Sequence, residues 1–188
     1  MPRSPRTQLA GAVYHVGNRG VRRSTIYPDD PHYEMFERIL GRVVDRFRWR
    51  CHTYCLMPNH YHLVIETPEP NLSRGMQRLN SLFAQWFNAE HRLTGHVFER
   101  RFFSRVLDST YDVLDLTRYV VLNPVRGGLC QAPMDWPWSS YRTLVAPTRP
   151  ASFLTTDWLL SQFAPEPKRA REVFSRFVDE APARARSA

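Results

Sequence analysis

An α+β fold, a ferredoxin-like split βαβ sandwich with one additional helix, is what this sequence predicts, on three observations. Apolar residues recur at helical period from Tyr33 to Phe47 and again from Leu72 to Phe87. Short segments rich in β-branched and aromatic residues flank those two stretches. Their order along the chain is strand, helix, strand, strand, helix, strand, which is the order of the split βαβ unit. At 188 residues with 43% hydrophobic content, the chain can bury one core and carry a small appendage. One domain is therefore expected over residues 1–145, followed by a linker and a short helical tail over 146–188.

The elements follow in order. Residues 1–9 are basic and contain proline, which suits a loose arm. Ala12 to Val16 reads as the first strand, ending at Gly17-Asn18-Arg19-Gly20, where glycine permits a backbone excursion. Asp29 or Asp30 can cap the first helix, with Pro31 in its first turn and Tyr33, Phe36, Ile39, Leu40, Val43, Val44 and Phe47 on its apolar side. Arg50 to Met57 and His60 to Glu66 read as a hairpin about a tight Pro58-Asn59 turn. Asn71 can cap a second helix with an apolar stripe of Leu72, Met76, Leu79, Phe83, Trp86 and Phe87, while Arg74, Arg78, Gln85 and Asn88 occupy its other side. Gly95 breaks the pattern, and Phe102 to Leu107 makes the fourth strand. Ser109 with Asp112 resembles a capping box that opens a helix through Asn123, bounded by Pro124 and Gly127-Gly128. Trp136-Pro137-Trp138-Ser139-Ser140-Tyr141 is expected to pack back on the domain, residues 146–150 to link to the tail, and residues 181–188 to be disordered.

The net charge of +8 is carried almost wholly by arginine, with Lys168 the one lysine. Lysine would serve solubility equally well, whereas the planar arginine fork suits phosphate contacts and stacking on bases. Nucleic acid is the partner this balance suggests, although a genome of high GC content produces the same bias. Cys51, Cys55 and Cys130 are few and odd in number. With no secretory pattern and no run long enough to span a bilayer, a cytoplasmic protein without a membrane partner is expected. The Cys51/Cys55/His60/His62 spacing is poor for a zinc finger, so buried, inert cysteines are the expectation.

Two elements carry chemistry. Along a strand, alternate side chains share a face, so His60 and His62 point one way while Tyr61, Leu63 and Ile65 point toward the core. Two adjacent imidazoles on an open face can hold a metal; alone, such a pair fits two unconnected surface histidines equally well. On the helix before Pro124, Tyr119 and Asn123 are four residues apart and share a face. That geometry suits a nucleophile beside a ligating amide oxygen, and it also suits a half-buried packing tyrosine.

Together these segments resemble the REP-associated tyrosine transposases of the single-tyrosine HUH superfamily. The resemblance rests on Tyr14-His15-Val16, Leu56-Met57-Pro58-Asn59-His60-Tyr61-His62-Leu63, Gly95-His96-Val97-Phe98, Arg118-Tyr119-Val120-Val121-Leu122-Asn123-Pro124-Val125-Arg126 and Trp136-Pro137-Trp138-Ser139-Ser140-Tyr141, over residues 10 to 145. One departure is Gly127-Gly128, where the family more often has Ala-Gly. The resemblance implies a ferredoxin-like fold, metal-dependent cleavage and rejoining of single-stranded DNA through a 5′-phosphotyrosine, and recognition of a palindromic hairpin with a short single-stranded guide. It implies Tyr119 as nucleophile, His60 and His62 as metal ligands, and Asn123 as a third. It also implies Mg²⁺ or Mn²⁺, and since two imidazoles favour Zn²⁺ or Mn²⁺, Mn²⁺ satisfies both. Arg19, Arg100, Arg101, Arg105 and Arg126 are the expected DNA contacts, with Phe98, Phe102 and Phe103 interleaved where they could stack on bases or fill the core. With one tyrosine, strand exchange needs either two protomers or repeated use of one, so monomer and homodimer both stay open. The rival readings are a nucleic-acid-binding module or domesticated transposase that cuts nothing, and a zinc hydrolase that uses water and leaves Tyr119 dispensable. An RRM is disfavoured by the absence of its aromatic strand motif.

Overall fold

The computed structural model describes residues 8–146 and 151–181. Most of the expected basic arm, of the linker and of the expected disordered end lies outside those residues; Ala181, the first residue of that end, is buried in the second core. Four antiparallel strands, β1 (Ala12–Arg19), β2 (Arg50–Met57), β3 (His60–Thr67) and β4 (Phe103–Leu107), form one sheet in the order β2-β3-β1-β4. Helices α1 (Asp30–Phe47) and α2 (Leu72–His91) cross one face as the two connections of the split βαβ unit, so the sheet order is the one the sequence predicts.

The alternation of side chains along the strands separates two cores. Tyr14, Val16, Tyr61, Leu63 and Ile65 point to one face and pack with Phe36, Leu40, Leu79 and Phe83 of α1 and α2. The Gly75 backbone seats Trp49: a Cβ at residue 75 would come within 2.1 Å of the indole. The Trp49 indole N–H in turn donates to Asn71 Oδ1 (2.6 Å), and Asn71 Nδ2 donates to the Phe47 carbonyl (3.1 Å). Asn71 thus stands at the predicted cap position of α2, yet its side chain ties the two helices together instead of capping. Gly75→Ala is expected to destabilise the fold by about 3 kcal/mol, the upper range for overpacking, because the clash is with a buried ring fixed by that hydrogen bond. Urea denaturation of the purified variant measures it.

The opposite face differs from the open face that the sequence suggests. Cys55, Val64 and Leu107 point there and are apolar, so they need cover. They receive it from α3 (Thr110–Val121), the single turn α4 (Asn123–Arg126), α5 (Tyr141–Val145), α6 (Asp157–Ser161) and α7 (Pro167–Asp179). Val113, Val120 and Val121 of α3 meet Leu144 of α5 and Phe174 and Val178 of α7 in this second core. The helix expected to run through Asn123 breaks at Leu122 and restarts as α4, with Pro124 in the new first turn. Among the described residues, the end of this face beside His60 and Phe103 is left more open than the rest, with His62 buried between them. The tryptophan segment packs back as expected: Leu56 N–H donates to the Trp138 carbonyl (2.8 Å), and Trp138 stacks on Tyr33 at 4.6 Å.

Candidate active site

Strand register assembles the site. The β1–β3 pairing sets Gly17 opposite His62 and Arg19 opposite His60, and the β1–β4 pairing sets His15 opposite Arg105 and Gly17 opposite Phe103. His15, His60, His62 and Phe103 therefore share the face that α3 partly covers. Gly17 leaves a flat patch between them, because a Cβ there would meet the Tyr61 carbonyl at 2.4 Å and the Phe103 ring at 2.6 Å. β1 runs three residues beyond its predicted end to make this floor, since its pairing with β3 continues to Arg19.

The histidines are held neutral and oriented. His60 Nδ1 lies 2.7 Å from Asn59 Oδ1, an atom that only accepts, so the proton is on Nδ1 and a neutral ring leaves Nε2 bare. His62 Nδ1 lies 3.0 Å from His15 Nε2, and a hydrogen bond from the former to the latter leaves His62 Nε2 bare as well. Burial, and then the nearby Arg19 charge, lowers His60 to about 4. Burial, reinforced by His15, His60 and Arg19, pushes His62 well below the ordinary histidine range. Burial and the Arg105 charge lower His15 to about 4. At neutral pH all three offer lone pairs rather than charge. An outward nitrogen with the other ring nitrogen bonded to a partner is how metal-binding histidines are presented. His15 is the residue whose part the sequence did not reveal; its place beside His62 depends on the pairing of β1 with β3, a long-range contact.

Tyr119, 38% exposed, projects from α3 toward this cluster, its ring centroid 5.8 Å from that of His62 and 6.5 Å from that of His15. The Arg126 guanidinium lies over the Tyr119 ring at 4.4 Å, where a cation attracts the ring face and any negative charge that forms on the phenol. Arg118, adjacent in sequence, turns away to Asp115 and to the Phe177 ring. Asn123 is buried, and its Nδ2 donates to the Tyr119 carbonyl at 3.0 Å. That bond leaves its Oδ1 outside this contact. It fixes Asn123 to the nucleophile's own backbone, one turn further along.

A cleft of about 170 Å³ opens beside the histidines, lined by Gly17, Arg19, His60, His62, Arg100 and Arg101 among others. Three of the five arginines expected from the sequence thus converge on it. Arg126 instead sits on Tyr119, and Arg105 lies in β4 against His15. Phe98 and Phe102 are buried in the core, so of the three interleaved phenylalanines only Phe103, 41% exposed, keeps a face for a base. Cys51 and Cys55 are buried, with their thiols pushed up by burial, and they fall on opposite faces of the sheet, as inert core residues do. Among the described residues, no group of three or more histidine, cysteine or carboxylate side chains could hold a metal ion, and no helix is long and apolar enough to cross a membrane. His60 and His62 fit a divalent cation as two of its donors, with the balance left to an amide, water or a phosphate oxygen.

The family described as "Transposase IS200 like" matches residues 9–123, a span that includes His60, His62, Tyr119 and Asn123. The chain is 27% identical over 135 residues, 65% of its length and 74% of the other's, to a Haemophilus influenzae protein that bears the name of a REP-associated tyrosine transposase. It is 21% identical over 141 residues to the REP-associated tyrosine transposase of Escherichia coli, covering 72% and 79% of the two chains. A solved REP-associated tyrosine transposase bound to a REP hairpin superposes with a TM-score of 0.67 at 21% identity, covering 82% of this chain and 92% of that one. That likeness is one of fold.

Proposed function

The chain belongs to the IS200-like transposase family, and from that premise we propose that it cuts single-stranded DNA beside palindromic repeat hairpins and transfers the strand through a 5′-phosphotyrosine on Tyr119. The observation that carries this reading is the convergence of Tyr119, His62, His60 and Arg126 at one end of the sheet face. The Tyr119 oxygen attacks the scissile phosphorus, the bond to the 3′ oxygen breaks, and the leaving strand departs with a free 3′-hydroxyl. The phosphate stays activated as a tyrosyl ester, so a second 3′-hydroxyl reverses the step and joins a new strand without nucleotide hydrolysis.

The residues divide the work. Arg126 holds the Tyr119 ring from one face and brings positive charge beside the attacking oxygen. A divalent cation, Mn²⁺ or Mg²⁺, held by His60 and His62 with Asn123 as a further oxygen donor, would supply positive charge that polarises a non-bridging phosphate oxygen. Asn59 and His15 orient the two imidazoles. Arg19, Arg100 and Arg101 draw the DNA backbone into the cleft and hold the phosphate in line with Tyr119. A denaturing gel of a labelled hairpin oligonucleotide with a single-stranded flank, incubated with protein and Mn²⁺, tests the reading. A protein–DNA adduct that survives denaturation is the expected result, and binding without any adduct would favour a module that grips DNA and cuts nothing.

The arginines should govern gripping apart from cutting. Replacing Arg100, Arg101 and Arg105 together by alanine is expected to weaken hairpin binding and flatten its salt dependence by about 0.7 for each phosphate the protein no longer neutralises. Cleavage is expected to recover at high protein concentration. Arg105, which lies away from the cleft lining, should contribute least when restored singly. The measurement is log affinity against log salt; lines of equal slope would remove these residues from phosphate contact.

A further inference from the structure

The cleft at the histidines does not end at Arg100 and Arg101. It shares those two residues, Asn18 and Glu99 with a longer groove of about 790 Å³ between α2 and the 95–102 loop. That groove shares Gln77 and Ser81 with a third hollow of about 370 Å³, which is also lined by Arg46, Arg74 and Arg78. The hollows share walls, so they form one track along the outer side of α2. From Ala84 to Arg74 it covers about 15 Å at ~1.5 Å per residue.

The α2 wall of this track is one-sided in charge, and the acid that lines the track, Glu99, sits on the 95–102 loop next to Arg100, where the track meets the cleft. From Leu72 to Ala89, α2 contains no carboxylate, and its first acidic residue is Glu90. Arg74 and Arg78 sit at i and i+4 on the exposed side, an arrangement in which like charges repel. Arg74 also lies in the first turn, where the helix dipole disfavours a cation. Arg46, in the last turn of α1, faces the same hollow. Among the described residues none of the three is ion-paired; the acid near this end, Glu69, pairs with Arg48 at 3.8 Å. By contrast the outer side of α1 mixes both signs through Glu34, Glu37, Arg38, Arg42 and Asp45, as a surface kept for solubility does. Two local electrostatic penalties on α2 are relieved together by a polyanion.

We propose that this track binds the single-stranded DNA leading away from the scissile phosphate, with Arg46, Arg74 and Arg78 on its phosphates and the Gln77 amide toward its bases. The proposal rests on the DNA-cleaving reading above. A strand has to be unpaired to reach Tyr119, and the track begins where that strand leaves the cleft. Between its two arginine clusters the wall is amide and hydroxyl, from Gln77, Asn80 and Ser81, groups that pair with exposed base edges. The Asn80 Oδ1 already accepts from the Tyr61 hydroxyl at 2.6 Å, which fixes its amide in place.

The test is fluorescence anisotropy with one hairpin that carries no flank, or a four- or eight-nucleotide single-stranded flank on either side. Wild type is expected to gain affinity as one of the two flanks lengthens. The Arg46→Ala/Arg74→Ala/Arg78→Ala protein is expected to lose that gain, to bind the eight-nucleotide flank at least about tenfold more weakly, and to have a salt slope lower by about 2, three phosphates at ~0.7 each. The corresponding triple lysine protein, which keeps the charge, should recover most of it. A bromodeoxyuridine-bearing flank should crosslink to the α2 segment. Equal affinities and slopes for wild type and the alanine protein overturn the track. So does an equal loss on the hairpin without a flank, which would mark a duplex contact instead. Wild type that binds no hairpin at all would sink the DNA reading itself, and the track with it. Matching circular dichroism melts for all three proteins show that the comparison is between folded chains.

Discussion

Tyr119→Phe is expected to abolish the covalent protein–DNA adduct and to lower strand cleavage by at least about 10³-fold, the scale seen when a nucleophile is removed. Hairpin affinity should stay nearly unchanged. The substitution deletes one oxygen and keeps the ring that Arg126 covers and that faces His62, so the packing of α3 on the sheet survives. Binding is spread over several arginines and does not depend on the phenol. The same variant separates the reading from a zinc hydrolase that activates water, for which cleavage would continue without an adduct. Adduct formation that persists in Tyr119→Phe would transfer the nucleophile to another tyrosine. Tyr111, at the start of the same helix and 75% exposed, is the first to examine.

The second large effect is expected at the histidine pair. His60→Ala or His62→Ala should each reduce cleavage by roughly 10²-fold or more, through loss of one of two imidazole donors to the cation. EDTA should do the same to wild type, with recovery on adding Mn²⁺. Asn123→Ala should be milder, by roughly tenfold, since water replaces an amide oxygen more readily than an imidazole. Full cleavage in EDTA would remove the cation from the reaction. The two histidine variants should differ in a second readout. His62 is packed against His15 and buried, so its loss leaves a hole beside Phe103 and Tyr119, whereas His60 lies nearer the surface and its loss should spare the melting temperature.

The strands and main helices are legible in the sequence because each obeys a local rule. The hairpin from Thr53 to Thr67 alternates at period two, α1 and α2 repeat apolar residues at helical period, and Ser109 caps α3 through a hydrogen bond from the Asp112 N–H (3.1 Å). His60 and His62 can be placed on one face from parity alone, and Tyr119 can be matched to them by resemblance. Local rules cannot show that β1 continues to Arg19, because its last residues contain glycine and asparagine and are held by β3. Nor can they show that His15 orients His62, or that Arg126, seven residues beyond Tyr119 and across the break at Leu122, returns over its ring. They also give no sign that α7 closes the second core behind the tyrosine helix, since its amphipathic pattern names no partner. The first, second and fourth depend on segments far apart in sequence that the fold brings together, and the third on the turn at Leu122.

Gly17 has a consequence at the level of the gene. Every single-nucleotide change of a glycine codon that still encodes a different amino acid introduces a side chain with a Cβ. At this position any Cβ strikes the Tyr61 carbonyl, which is backbone and cannot be traded for a smaller residue. A compensating change at Phe103 would relieve only half of the conflict. Descendants of this gene that keep the β1–β3 register have no neighbouring sequence through which to drift at residue 17. A saturation library selected for binding and cleavage should therefore return glycine there almost alone, while the arginine positions around the cleft tolerate exchange.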